Sequence, residues 1–260
     1  MSMLVNPFLK IKSTNKLLDK IGHLKNVEFT ETACEELKIV TEFTGGEHLP
    51  KTGAATIVIN HPGGADILSM VVSLGKIRPD LMILVNELIC LPVIEEIAIP
   101  IKMLGNKKVD EKLIHKAYEE GKLVVFFAGG KNSRYNKKGE LRDRRWRTTF
   151  LDFAHKYDTP INIMRIVGKN SALFYKVSDI RAKYSFLKNI PLENMFQLRE
   201  LTRPATMKLF LSTSFRFKKN GESRQERRKK ADILYNFLYT MDENNLEFNP
   251  SLIEERTEKI

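Results

Sequence analysis

The residues best equipped for chemistry lie together in Ile59-Asn60-His61-Pro62-Gly63-Gly64-Ala65-Asp66, where a histidine closes an apolar run and an aspartate follows five positions later. The run Ala55–Asn60 has the composition of a buried strand, and Asp66–Leu74 reads as a buried helix ended by Gly75. Between them Pro62-Gly63-Gly64 makes a turn that lets the chain fold back on itself. An aspartate in the first helical turn caps free backbone N–H groups, and this one can also meet one nitrogen of the imidazole. The carboxylate then fixes the tautomer, leaves the second nitrogen to accept a proton, and stabilises the imidazolium that forms. No serine accompanies the pair, so the hydroxyl to be activated would belong to the substrate, with His61 as general base and Asp66 orienting it. The plainer alternative is an aspartate N-cap beside an incidental exposed histidine. His23, His48, His115 and His155 read as surface or core residues.

A second segment, Gly129-Gly130-Lys131-Asn132-Ser133-Arg134, follows the apolar run Leu123–Ala128. It offers backbone N–H groups beside Lys and Arg, which suits an anionic headgroup, or it is a glycine-rich turn into a basic loop. Gly-x-x-x-x-Gly-Lys-Ser/Thr cannot be laid on it, so it is no Walker loop. Trp146, among Arg144, Arg145 and Arg147, fits either the headgroup level of a bilayer or a place in the core. Cys34 and Cys90 form no paired C-x-x-C, and no set of metal ligands is read, so no metal is expected.

The elements that must position these groups alternate. After Ala55–Asn60 and Asp66–Leu74 come a strand at Leu81–Val85, a helix at Val109–Glu120, a strand at Leu123–Ala128, a helix at Trp146–Tyr157 and a strand at Pro160–Val167. Such alternation predicts an α/β fold, a mostly parallel central sheet with helices on both faces and its ligands outside the carboxyl ends of the strands. Residues 1–48 read as a mainly helical N-terminal segment, 49–217 as the core and 218–260 as a basic helical extension, all in one structural unit. Within the last, Glu222–Met241 is either an amphipathic membrane contact or a helix that closes the core.

The chain has 260 residues, 42% hydrophobic and 29% charged, a composition that excludes disorder and collagen-like structure and allows one large domain or two small ones. Lys and Arg number 43 against 32 Asp and Glu, a formal charge of +11, and the excess is concentrated in Lys131–Lys156 and Arg216–Lys230. An anionic partner is expected: nucleic acid, an anionic membrane surface, or a phosphorylated cofactor or carrier, among which charge alone does not choose. The most apolar stretch, Leu81–Ile101, is interrupted by Asn86, Glu87, Pro92, Glu95 and Glu96. It falls short of the roughly 20 apolar residues of a membrane-spanning helix. With no secretory signal pattern and unpaired cysteines, a reduced, cytoplasmic protein is expected, lying on a membrane if it meets one.

The motif NHPGGAD resembles the His-x-x-x-x-Asp signature of the glycerolipid acyltransferase superfamily, the 1-acylglycerol-3-phosphate acyltransferase type. Further blocks follow in order: Leu49–Gly53 resembles the entry segment, Arg78–Ile101 the second block, Phe126–Arg134 the third and Thr159–Ser171 the fourth. With Met195–Glu200 (MFQLRE), they are most similar to the bacterial hemolysin-like and lyso-ornithine lipid acyltransferase branch. The resemblance implies O-acyl transfer from a thioester of acyl carrier protein or coenzyme A to a lyso-lipid at the inner face of the cell membrane. No cofactor is implied, and nucleic acid is disfavoured as a partner. Residues and resemblance together place Asn60, Gly63, Gly64, Asn86, Lys102, Gly129, Gly130, Lys131, Ser133 and Arg134 among the acceptor- and donor-binding groups. The third block departs from the glycerophosphate pattern, since Phe127-Ala128-Gly129-Gly130 lacks its Pro and its Glu. In the second block, Asn86-Glu87 stands where many members have Lys, and Lys102 stands near an Arg position. An acceptor with an amino-acid headgroup therefore stands beside a lysophosphatidate-like one. Thioester hydrolysis and a non-catalytic basic binding module are the alternatives.

Overall fold

The computed structural model describes residues 11–87, 90–101, 110–184, 192–217 and 223–254. Helices α1 (Ile11–Ile21) and α2 (Asn26–Glu36) lead into strand β1 (Ile39–Thr44). There follow β2 (Ala55–Ile59), α3 (Asp66–Gly75), β3 (Leu81–Asn86), β4 (Ala98–Ile101), α4 (Glu111–Glu119) and β5 (Leu123–Phe127). A short hairpin of β6 (Arg134–Tyr135) and β7 (Leu141–Arg142) comes before α5 (Thr149–Lys156) and β8 (Ile161–Val167). The chain continues through α6 (Ala172–Lys183), α7 (Leu192–Leu201), β9 (Ala205–Leu211) and α8 (Arg224–Leu238).

Seven strands form one sheet in the order β1-β9-β8-β2-β5-β3-β4. Every neighbouring pair is parallel except β8–β9, so the expected mostly parallel α/β sheet is what forms. Strand β2 is buried at all of its positions because both faces of the sheet are covered. Ile57 and Ile59 point into a cluster with Met70 and Leu74 of α3 and Cys34 of α2. Val58 points the other way, into a cluster with Ile114 of α4, Phe150 of α5 and Leu234 and Leu238 of α8. Two helical layers thus hold β2 and β5 rigidly at the centre, and their carboxyl ends carry the loops of interest.

The structure adds a strand to the N-terminal segment and decides two open alternatives. Ile39–Thr44 lies in the stretch read as mainly helical, yet it is a strand that pairs in parallel with β9 over its whole length, so residue 48 is no structural boundary. Helix α5 starts at Thr149, three residues after Trp146, and the indole is fully buried, edge-on to Phe150 and Tyr235, which rules out a place at the headgroup level. Helix α8 buries Ala231, Leu234 and Leu238 against the core, so it closes the fold and its apolar face is not available to a membrane. Among the described residues no helix is long and apolar enough to cross a membrane.

Candidate active site

Strand β2 delivers the backbone to Asn60, whose side chain behaves as one more rung of the sheet. Its Nδ2 donates to the Ile166 carbonyl at 2.8 Å and its Oδ1 accepts from the Ile166 N–H at 2.7 Å. Asn60 was expected among the binding residues; with both amide atoms so engaged it anchors the end of β2 to β8 and presents nothing to a ligand. His61 follows at the edge of the sheet with its side chain 16% exposed.

The turn then reverses as the two glycines permit. Gly63 and Gly64 have φ of +91° and +68°, a region costly for residues with a Cβ. A Cβ on Gly63 would also fall 2.1 Å from Asn170 Nδ2, while Gly64 N–H donates to Asn170 Oδ1 at 2.6 Å. The glycines are therefore shaped by the chain behind them, without a ligand being needed to explain them. The reversal brings Asp66, fully buried, against the ring: His61 Nδ1 donates to Asp66 Oδ2 at 2.7 Å. Gly63 N–H reaches the same oxygen at 2.7 Å, and Ile67 N–H donates to Oδ1 at 2.8 Å. A carboxylate can only accept, so Nδ1 carries the ring proton and Nε2 is the basic nitrogen. Nε2 has no partner among the described residues.

Burial disfavours the imidazolium, but the Asp66 charge and hydrogen bond, with Asp143 behind them, outweigh it and hold His61 above its ordinary value of 6.5. Arg134 works in the opposite direction. Phe127, the last residue of β5, lies against the imidazole with ring centroids 4.6 Å apart.

A second carboxylate, not singled out from sequence, braces the histidine from below. Asp143 is buried, its Oδ1 accepting from the His61 N–H at 3.1 Å and the Ser133 hydroxyl at 2.5 Å, its Oδ2 from Trp146 Nε1 at 3.1 Å. Ser133 N–H in turn donates to the His61 carbonyl at 2.7 Å. From α8 and its end, Tyr235 OH donates to the Asp143 carbonyl at 3.0 Å and Tyr239 OH accepts from the Asp143 N–H at 2.6 Å. Burial pushes the Asp143 carboxyl up, against the pull of its Ser133, His61 and Trp146 donors. Asp143→Ala would orphan these three buried donors, each worth roughly 1–3 kcal/mol, and is expected to lower stability by about 3–5 kcal/mol in urea unfolding.

The remaining expected residues separate into groups. Ser133 is 1% exposed and committed to Asp143 and His61, so it positions the histidine's loop and is not a binding group. Gly129 packs against Asp143, where a Cβ would fall 2.8 Å from Oδ2, and Gly130 turns with φ +63° beside the Arg147 guanidinium. Lys131 is exposed on the same loop. Arg134 is tied to Ser178 Oγ and the Asn132 and Ser133 carbonyls at 3.0 Å each, and it lies over the Phe174 ring. Asn86 ends β3, which β5 separates from β2, on the same edge of the sheet. Lys102 lies outside the described residues.

Two further residues fix the segment after β8. Besides Asn170, Glu200 of α7 accepts from the Ser171 N–H and hydroxyl at 2.6 Å each and from Arg203 Nη1 at 2.8 Å. The MFQLRE segment thus serves to hold the chain that shapes Gly63-Gly64. The thiol of Cys34, by contrast, is pushed up to about 12 by burial and by Glu31 and Glu35, which makes it a poor nucleophile.

The acyltransferase family model matches residues 40–167, from β1 to the end of β8. A lyso-glycine lipid O-acyltransferase of Phocaeicola vulgatus is 31% identical over 180 residues, 68% of this chain and 61% of that protein. One of Bacteroides thetaiotaomicron is 29% identical over 210 residues, 78% of this chain and 74% of that protein. The match thus spans less than two thirds of the first relative's length. The crystal structure of the 1-acyl-sn-glycerophosphate (LPA) acyltransferase PlsC from Thermotoga maritima aligns with a TM-score of 0.49 at 16% identity, over 90% of this chain and 94% of that one. His61, Asp66, the 129–134 loop and Asp143 all lie inside the segment 40–167 that the acyltransferase family model matches.

Proposed function

We propose that the protein is an O-acyltransferase that moves a fatty acyl group from a thioester to a hydroxyl of a lyso-lipid. The observation that carries this reading is the His61–Asp66 pair: a proton fixed on Nδ1 by a carboxylate at 2.7 Å, and a basic Nε2 with no partner among the described residues. Nε2 removes the proton of the acceptor hydroxyl as its oxygen attacks the thioester carbonyl. The C–S bond breaks as the tetrahedral intermediate collapses, and the imidazolium returns its proton to the departing thiolate. Asp66 stabilises the imidazolium between the two transfers. The step needs no acyl-enzyme and no cofactor.

The two relatives named for a lyso-glycine lipid, with the missing Glu and Pro of the third block, support an acceptor with an amino-acid headgroup. A thioester of acyl carrier protein or coenzyme A is the donor, and the +11 charge suits both an anionic donor and an anionic lipid surface at the inner face of the cell membrane. The test incubates the purified protein with long-chain acyl thioesters of both kinds and a panel of lyso-lipids, following thiol release and acylated lipid by mass. Acylated lyso-glycine or lyso-ornithine lipid formed in step with thiol is the expected result. Thiol without acylated lipid would make the protein a hydrolase, and no thioester consumption across the panel would end the catalytic reading.

A further inference from the structure

An open groove lies where the N-terminal ends of α5 and α8 meet. Four of its lining residues are arginines, Arg145, Arg147, Arg224 and Arg228, and Thr148 and Thr149 add hydroxyls; the lining carries no carboxylate among the described residues. Two of the guanidinium groups are already engaged. Arg145 forks onto Asp232, and Arg228 donates to the Trp146 carbonyl. The side chains of Arg147 and Arg224 have no hydrogen-bond or charge partner among the described residues. Arg145, Arg147 and Arg224 are exposed, so the two unanswered forks are hydrated in the free protein, and the fold gathers like charges around one concave space whose field favours an anion.

We propose that this groove binds the phosphate of a phosphorylated ligand. The guanidinium fork matches phosphate oxygens in pairs, and several donors with no acceptor carboxylate suit a group with more than one negative oxygen. The groove is open to solvent, which fits a charged end group held at the surface and not a buried ligand. The groove is also joined to the candidate active site. Arg147 N–H donates to the Ala128 carbonyl at 3.0 Å, its guanidinium flanks Gly130, and Phe127 touches the His61 ring. Given the acyl-transfer reading, on which this part rests, the ligand is the phosphate-bearing end of the thioester donor, with the acyl end directed along the Phe127–Gly130 loop to His61. The same chemistry could come from a phospholipid headgroup.

The test measures binding with no turnover. Calorimetry with adenosine 3′,5′-bisphosphate and with free coenzyme A, and flotation with phosphatidylcholine vesicles with and without phosphatidylglycerol, are run on wild type, Arg147→Ala/Arg224→Ala and His61→Ala. Nucleotide binding is expected in wild type and His61→Ala, weakened by about tenfold or more in the double arginine variant and by added salt. Vesicle binding that depends on phosphatidylglycerol and falls in the double variant, with no nucleotide binding, would assign the same phosphate site to the lipid. Equal binding of both ligands by all three proteins, or binding of neither by wild type, overturns the site. Melting temperatures of the variants separate loss of binding from loss of fold. Because His61→Ala binds without reacting, failure of the acyl-transfer reading leaves this result standing, and failure of the groove leaves acyl transfer standing.

Discussion

His61→Ala loses acyl transfer by about 10³–10⁴-fold while the protein remains folded, the range that removal of a positioned general base brings. The fold survives because what ties residue 61 to its surroundings is largely backbone: its N–H to Asp143 and its carbonyl from Ser133 are unaffected by truncation at Cβ. Asp66 keeps two of its three donors, the N–H groups of Gly63 and Ile67. The stability difference between the two proteins carries its own signature. His61 is held above its ordinary 6.5, so its protonated form favours the folded state. That contribution is complete below the ordinary value and disappears as pH rises through the folded one. Urea unfolding is expected to show the larger wild-type advantage at pH 5 and a smaller one at pH 9. An advantage that grew with pH would mean that Asp66 does not hold the imidazolium.

Asp66→Asn lowers turnover by about 10³–10⁴-fold and moves the acid limb of the rate to lower pH. On the proposed mechanism the wild-type limb is expected above 6.5, because only neutral His61 would take the proton and the carboxylate favours the charged ring. Without that charge, burial and Arg134, which disfavour the imidazolium, are opposed only by Asp143. The ring is then neutral over a wider range, yet it is the wrong tautomer. Three donors converge on the Asp66 oxygens, and asparagine offers one oxygen to them and turns its NH₂ toward the rest. When that NH₂ faces Nδ1, the ring proton moves to Nε2 and the base is lost. A pH profile of kcat/KM for both proteins checks the pair of effects. A slower enzyme with an unmoved limb would show that Asp66 sets geometry and not charge.

The part of the site legible in the sequence is the part that is local. His61 and Asp66 stand five residues apart across two glycines, and a strand, a turn and a helix start suffice to bring them together. Asp143 is 82 residues from His61 and appears in the sequence only as one of the few acids in a basic stretch. Asn170 is 106 residues from Gly64, and nothing in the turn itself announces that its two glycines are shaped by a distant amide. The sheet divides in the same way. Strands β2, β5 and β8 are rich in apolar residues, interrupted only by Thr56, Asn162 and Arg165, and declare themselves, whereas β1, Ile-Val-Thr-Glu-Phe-Thr, is buried only in part and leaves Val40 56% exposed, so its pattern is weak without its partner β9. Trp146 shows the limit of composition: three neighbouring arginines left an interface and a core place both open, and the choice lay in a buried carboxylate three residues upstream that accepts the indole N–H.

The phenol of Tyr239 that receives the Asp143 N–H is 96 residues further along the chain, outside the 40–167 segment shared with the family. On a ribosome adding about 5–20 residues per second, roughly 5–20 seconds separate the synthesis of the carboxylate from that of its brace. Strand β8 and its partner β9 are made within that interval, so the sheet around β2 can be completed before the loop that carries the imidazole is pinned from the side of α8. On the proposed mechanism, competence to activate a hydroxyl is therefore a late event in the life of each molecule, and a fragment cut to the matched segment would possess the histidine and the aspartate without the clamp that steadies them.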